Sequence, residues 1–320
     1  MLKVLEAFAG VGTTRMALER VLPCEHVGII ENSPMKIKAY QVCHGDKEPV
    51  WKDIRDVDPW RLPDHDLFTY SFPCTDLSKE GKGEGFDGKN SSLLFECEKI
   101  IAIKRPRYLL CENVPQLFSK KNEEGFDRWI SILDILGYRS WWFKLKGCDY
   151  GVPQNRERAF IVSFKGMDTF ELPQEKPFMT IKDYLGEDYI NRLPILDDKG
   201  LIFFDEYHTC VKEAVKAGHT EVNDWDTVNV AFPTSKTRRG RVGRQMAQTL
   251  LKSPQMGIWD GECLREITGE TAISLMGIDD KYLERLVYAE FTDSQLKGIA
   301  GDAIIVDVLE AIFREMFKNY

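Results

Sequence analysis

The chain has 320 residues, is 43% hydrophobic and 29% charged, and carries a formal net charge of −8. That composition is ordinary for a soluble globular protein of one large domain or two of usual size. It argues against indiscriminate nucleic-acid binding but leaves room for a local basic face, and no stretch approaches the roughly 18 apolar residues of a membrane span.

In chain order, Leu2–Phe8 reads as a short buried strand rather than a signal peptide. Gly10-Val11-Gly12-Thr13-Thr14 is a tight turn, and residues 15–22 have helical periodicity. Val27–Ile30 is a second strand ending at Glu31-Asn32, and Pro34 suits the first turn of a helix. Strands are predicted over 67–71, 108–111 and 158–164, and helices over 91–103 and 126–136. Such alternation predicts an α/β fold with a doubly wound, mostly parallel sheet. After about residue 165 the pattern becomes irregular, as in a separate, smaller domain. It turns regular again over 264–278 and in a C-terminal helix over 303–317.

Eight cysteines stand at 24, 43, 74, 97, 111, 148, 210 and 263, with no Cys-x-x-Cys pair and no histidine at zinc spacing. Free thiols in a reducing cytosol and no metal site are expected. Cys74 differs from the others. It follows Pro73 just past the apolar run 66–70, where open α/β sheets bind ligands. Lys79–Gly88 then places four glycines in ten residues, as in a lid. The thiol reads either as a covalent nucleophile or as a structural cysteine in a turn.

Other strand ends carry further candidates. The glycines of Phe8-Ala9-Gly10-Val11-Gly12 let a ligand approach the backbone, and Glu31 falls where an acid binds ribose hydroxyls. Asp53, before Ile54, suits an adenine amino group or is a plain surface acid. Glu112 follows the strand at 108–111 and reads either as a carboxyl whose pKa desolvation raises or as a helix N-cap or satisfied turn carboxylate. Arg156 and Arg158, two residues apart, would share one side of an extended segment.

In this order and spacing the segments resemble the DNA (cytosine-5) methyltransferases, over most of residues 1–164 and 264–320. Phe8–Gly12 is similar to that family's S-adenosylmethionine loop, and Pro73-Cys74 to its nucleophile motif. Glu112-Asn113-Val114 resembles its acid motif, and Gln154-Asn155-Arg156-Glu157-Arg158 its Gln-x-Arg-x-Arg motif. Gly301–Val306 resembles its last motif, with Asp302 in place of a usual asparagine, and Arg265-Glu266-Ile267-Thr268 with Leu275–Ile278 the one before. Thr75 stands where glutamine is common.

The resemblance implies a Rossmann-like catalytic domain over 1–165 and 263–320 and a target-recognition domain over 166–262. It implies S-adenosylmethionine as cofactor, held by Phe8, Gly10, Gly12, Glu31, Asp53, Ile54, Pro73, Leu93, Asp302 and Ala303. Cys74 would add to carbon 6 of a flipped cytosine. Glu112 would serve ring nitrogen 3, Arg158 the ring carbonyl oxygen, and Arg156 the order of the thiolate. Ser78, Lys79, Lys82 and Lys89, with Arg238, Arg239, Arg241 and Arg244 of the densest basic stretch, would contact duplex DNA. A monomer in the bacterial cytoplasm, alone or beside a cognate restriction endonuclease, is expected. A tRNA methyltransferase and a silent DNA-binding regulator stay open as alternatives. A nicotinamide oxidoreductase rests on the glycine turn and Glu31 alone.

Overall fold

A computed structural model describes residues 1–45, 47–73, 93–166, 169–253 and 255–320. Cys74, Ser78, Lys79, Lys82 and Lys89, and the whole glycine-rich stretch, lie outside the described residues.

Two compact units form. The first contains Met1–Leu145, Glu157–Gln174 and Val308–Tyr320, and the second Lys146–Arg156 and Glu175–Asp307. The chain begins with β1 (Leu2–Ala7), α1 (Thr13–Glu19), β2 (Cys24–Ile30), α2 (Pro34–His44), β3 (Val50–Trp51) and β4 (Leu67–Tyr70). It continues with α3 (Leu93–Lys104), β5 (Tyr108–Asn113), α4 (Glu123–Ile135), β6 (Tyr138–Lys146), β7 (Gln154–Asn155) and β8 (Glu157–Lys165). All but β7 build the first unit's seven-stranded sheet, in the order β3-β2-β1-β4-β5-β8-β6. The pairs from β3 to β5 are parallel, while β8 runs antiparallel to β5.

The causes are local. All four residues of β4, Leu67-Phe68-Thr69-Tyr70, are buried, as suits a strand covered on both faces. The Ser33 side chain caps α2 at the Lys36 N–H, and Pro34 takes the first helical position, where no hydrogen bond is lost. α4 buries Phe126, Trp129 and Leu133, spaced three and four apart. Trp129 meets Tyr70 and Phe72 edge to face, so this helix packs on the carboxyl end of β4.

The second unit holds α5 (Ile181–Leu185), then β9 (Ile202–Phe204), β10 (Thr209–Lys212) and β11 (His219–Glu221) in one antiparallel sheet. Strands β12 (Thr227–Asn229), β13 (Arg241–Gly243), β15 (Met256–Trp259) and β16 (Leu264–Glu266) form a second sheet, and β14 (Ala247–Gln248) pairs with β7. Helices α6 (Gly269–Ser274), α7 (Asp280–Tyr288) and α8 (Asp293–Asp302) follow, α8 with a Thr292–Gln295 capping box. α9 (Val306–Met316) carries the chain into the first unit, where Glu310 pairs with Arg20 at 3.2 Å.

These units divide the chain elsewhere than at 166 and 263. β16 pairs with β15, and a Cβ on Gly269 would strike the Asp293 carbonyl and Leu296, so α6 lies tight against α8. Residues 264–307 are thereby tied to the second unit's own sheet and helices. Among the described residues no helix is long and apolar enough to cross a membrane.

Candidate active site

The carboxyl ends of β1, β2, β4 and β5 carry the site. After β1 the chain turns left-handed at Phe8, with φ +59°, and again at Gly10 and Gly12. Gly10 (φ +60°) faces open space, since a Cβ there would meet no described atom within 4 Å. Gly12 (φ +85°) is glycine for another reason: a Cβ would lie 2.4 Å from His44 Nε2 and 2.8 Å from the Tyr40 ring. His44 Nε2 sits 3.2 Å from the Val11 carbonyl oxygen. Burial, then the Arg15 charge, pushes the His44 imidazole down to about 4, so it is neutral near pH 7 and can donate to that carbonyl.

Glu31, 6% exposed, closes the loop from β2. One carboxylate oxygen accepts the Gly10 N–H at 3.0 Å and the other the Ser33 N–H at 2.9 Å. A carboxylate has about four acceptor positions, so each oxygen keeps capacity for a hydroxyl. Asp53 is engaged by Arg55 through side chain and backbone, which holds its carboxyl at about 2, and Ile54 beside it is buried. Open backbone at Gly10 beside a buried acid at Glu31 fits a nucleoside-bearing cofactor such as S-adenosylmethionine. Leu93, at the start of α3, packs on the same core.

At β4 and β5 the arrangement is tighter. Asn113, 3% exposed, donates to the Phe72 carbonyl at 3.0 Å, while its own carbonyl oxygen accepts the Val114 N–H at 2.9 Å. That tie fixes the backbone immediately before Pro73, the last described residue ahead of Cys74. The β5–β8 register pairs Glu112 with Phe160 and Asn113 with Ala159, which brings Arg158 to the end of β5. Arg158 Nε lies 3.1 Å from Glu112 Oε1, and the side chains are 17% and 12% exposed. The end of the sheet thus presents a half-buried carboxyl held against a guanidinium.

Arg156 is 3% exposed. Its N–H bonds back to the Gln154 carbonyl, which breaks the extended chain between β7 and β8. Its guanidinium donates to the carbonyls of Leu250, Gly301 and Ala303 at 2.9 Å each. Gln154, fully buried, donates to the Leu275 carbonyl and accepts the Leu250 N–H. These two side chains are struts of the second unit. Asp302 pairs with Lys252 at 2.9 Å, and the Ala303 carbonyl is one of the three that Arg156 holds. The roles of Asn113 and Gln154 escaped the sequence reading, although both stand inside motifs already picked out there.

The basic stretch divides too. Arg238 lies over the Phe232 ring at 4.2 Å, and both it and Arg241 are exposed. Arg239 is half-buried and donates to the Glu213 carbonyl, while Arg244 pairs with Asp226, a carboxylate only 1% exposed. The last two arginines are therefore engaged by their own domain.

Residues 2–318 match the family model of C-5 cytosine-specific DNA methylase. The type II methyltransferase M2.ScrFI of Lactococcus lactis subsp. cremoris is 30% identical over 383 residues, covering 100% of both chains. The orphan methyltransferase M.SssI of Spiroplasma monobiae is also 30% identical, over 97% of this chain and 96% of its own. Among solved structures, a putative DNA modification methyltransferase encoded within an E. coli prophage superposes with a TM-score of 0.69 at 17% identity, over 99% of each chain. The S. pombe Dnmt2 methyltransferase does so with a TM-score of 0.66 at 18% identity, over 100% of each chain. At those identities the structural likeness shows the fold, that of S-adenosylmethionine-dependent methyltransferases. With a sheet of that fold and a sequence match over nearly its whole length, the chain belongs to the C-5 cytosine-specific DNA methylase family, whose members transfer a methyl group from S-adenosylmethionine to carbon 5 of cytosine in DNA.

Proposed function

We propose that Cys74 is the nucleophile and that Glu112 and Arg158 are its catalytic partners on a cytosine flipped out of duplex DNA. One observation carries this reading: the Glu112–Arg158 pair stands at 3.1 Å at the end of β5, next to the Asn113 tie that aims the chain into Pro73-Cys74.

Carbon 5 of cytosine is a weak nucleophile. When the Cys74 thiolate bonds to carbon 6, electron density moves through the ring toward nitrogen 3 and carbon 5 becomes enamine-like. Glu112 supplies a proton or strong hydrogen bond at nitrogen 3. Arg158 orients Glu112 through Nε and offers its remaining N–H groups to the ring oxygen. Phe8, Gly10, Gly12, Glu31, Asp53, Ile54, Pro73, Leu93, Asp302 and Ala303 would hold S-adenosylmethionine, which would supply the electrophilic methyl. Loss of the carbon 5 proton then expels Cys74 and restores the ring. Arg156 acts as a positioning residue for the second unit's loops.

Reaching the base inside a duplex requires flipping, which costs a few kcal/mol. Ser78, Lys79, Lys82 and Lys89 would meet the backbone near the extruded base. In residues 166–262, proposed as the target-recognition domain, Arg238, Arg239, Arg241 and Arg244 are the candidates for phosphate or guanine contact, of which Arg238, Arg241 and Arg244 are exposed. We further propose a monomer acting in the bacterial cytoplasm, alone or beside a separate cognate endonuclease.

The test is methyl transfer from labelled S-adenosylmethionine to duplex DNA and to tRNA, with Glu112→Gln and Arg158→Ala beside the wild type. The expected result is labelling of DNA only, with kcat reduced about 10²–10⁴-fold in both variants. Labelling of tRNA only, or variants with unchanged kcat, would overturn the proposal.

A further inference from the structure

Three side chains of β1 and β2 stand in line, from Cys24 at the start of β2 to Glu6 near the end of β1. Cys24 Sγ lies 3.3 Å from His26 Nε2, and His26 Nδ1 lies 3.0 Å from Glu6 Oε1. Cys24 and His26 are two residues apart on β2 and so share a face, while Glu6 comes from the neighbouring strand. Glu6 and the His26 side chain are 1% and 2% exposed, and the Tyr40 hydroxyl donates to the same Glu6 oxygen at 3.1 Å. The carboxylate thus accepts a hydrogen bond from Nδ1–H, and Nε2 faces the sulfur. This is the order of nucleophile, base and orienting acid that activates thiols.

Cys24 is half-buried, and with Glu19, Arg20, Val21, Leu22 and Pro23 it lines a shallow cavity of about 360 Å³ at the turn from α1 into β2. Burial works against a charged His26, but its bonds to Cys24 and Glu6 outweigh burial and raise the imidazole to about 9. The other half-exposed described thiols face acids instead. Cys148 lies 3.4 Å from Asp149, and burial followed by that carboxylate pushes it up to about 11. Cys263 lies 3.4 Å from Asp260 and is pushed up by burial and the same kind of contact.

We propose that Cys24 is a second nucleophilic site, separate from Cys74, that undergoes thiol–disulfide exchange with low-molecular-weight disulfides. With the thiol proton already residing on His26, the Cys24 sulfur reacts as the thiolate of that ion pair and forms a bond to one sulfur of the disulfide. The disulfide's own S–S bond breaks, and its second half leaves as a thiolate that takes up one proton. Cys24 is oxidised to a mixed disulfide and the small disulfide is reduced.

The experiment treats the full chain with oxidised glutathione at pH 7 and follows each cysteine by peptide mass spectrometry, so that Cys74 is read as its own peptide. Cys24 is expected to gain glutathione about tenfold or more faster than Cys148 and Cys263. H26Q is expected to remove most of that advantage and leave the rates at Cys148 and Cys263 unchanged. Should H26Q misfold, the buried Cys97 and Cys111 would become reactive, and the wild-type comparison then decides. Equal rates at Cys24, Cys148 and Cys263 in the wild type would overturn the proposal, and so would a folded H26Q protein with undiminished reactivity at Cys24.

Discussion

Gly10 and Gly12 sit two residues apart, both left-handed, yet alanine at each should fail differently. A left-handed backbone costs an alanine about 1–2 kcal/mol at either position. At Gly10 that is the whole stability cost, because a Cβ meets open space among the described residues. At Gly12 the Cβ would lie 2.4 Å from His44 Nε2 and 2.8 Å from the Tyr40 ring. Tyr40 is 1% exposed and bonded to Glu6, so it has little room to yield. Overpacking of this kind adds about 1–3 kcal/mol. Displacing His44 from the Val11 carbonyl adds about 1 kcal/mol more. Gly12→Ala should therefore cost about 3–6 kcal/mol by these terms together. Urea unfolding followed by fluorescence, with calorimetric titration of S-adenosylmethionine, separates the two variants. Gly10→Ala is expected to fold nearly as well as wild type but bind the cofactor at least about tenfold more weakly, since its Cβ fills the space a ligand needs. Equal unfolding costs for the two variants would refute the packing argument, and unchanged cofactor affinity in Gly10→Ala would refute the assignment of the loop.

Asn113→Ala strips the Phe72 carbonyl and the Val114 N–H of a buried partner and should cost about 1–3 kcal/mol for each group left unsatisfied. Methyl-transfer kinetics should show kcat falling, because the tie it removes fixes the backbone just before Pro73. His44, lowered to about 4 from an ordinary value near 6.5, contributes stability that is present above pH 6.5 and lost as pH falls through 4. The difference in unfolding free energy between wild type and His44→Gln should shrink over that window, by a few kcal/mol at most, and urea titrations at pH 7, 6, 5 and 4 would show it. Arg241→Ala should weaken DNA binding evenly across sequences and lower the salt slope by about 1. Arg244→Ala should lower stability first, because it leaves the buried Asp226 without its counter-charge.

Much of the fold was legible because the signals are local. The buried run Leu67–Tyr70, the Ser33-Pro34 helix start and the three-and-four spacing on α4 each depend on neighbours within a turn or two. β6 was missed because the adjacent Trp141 and Trp142, followed by Phe143, break the alternation of Tyr138–Lys146. Glu112 and Arg158 were legible from their places at strand ends, and their pairing follows from the antiparallel β8 register. The partners of Arg156 were not legible because they are carbonyls 94 to 147 residues distant. Asn113 and Gln154 act through contacts 41 and 121 residues distant, which spacing alone does not reveal. The bounds of the compact units depend on long-range pairing of the same kind, since β16 takes its partner β15 from the second unit.

The most direct test of the catalytic account is intact mass spectrometry of the protein incubated with S-adenosylmethionine and duplex DNA containing 5-fluorocytosine. Fluorine cannot leave carbon 5 as a proton does, so the reaction should stop at the covalent stage. The account predicts an adduct one methyl heavier than protein plus DNA, attached at Cys74 and absent in Cys74→Ser. No adduct on duplexes of varied sequence, with cofactor bound and the protein folded, would contradict it.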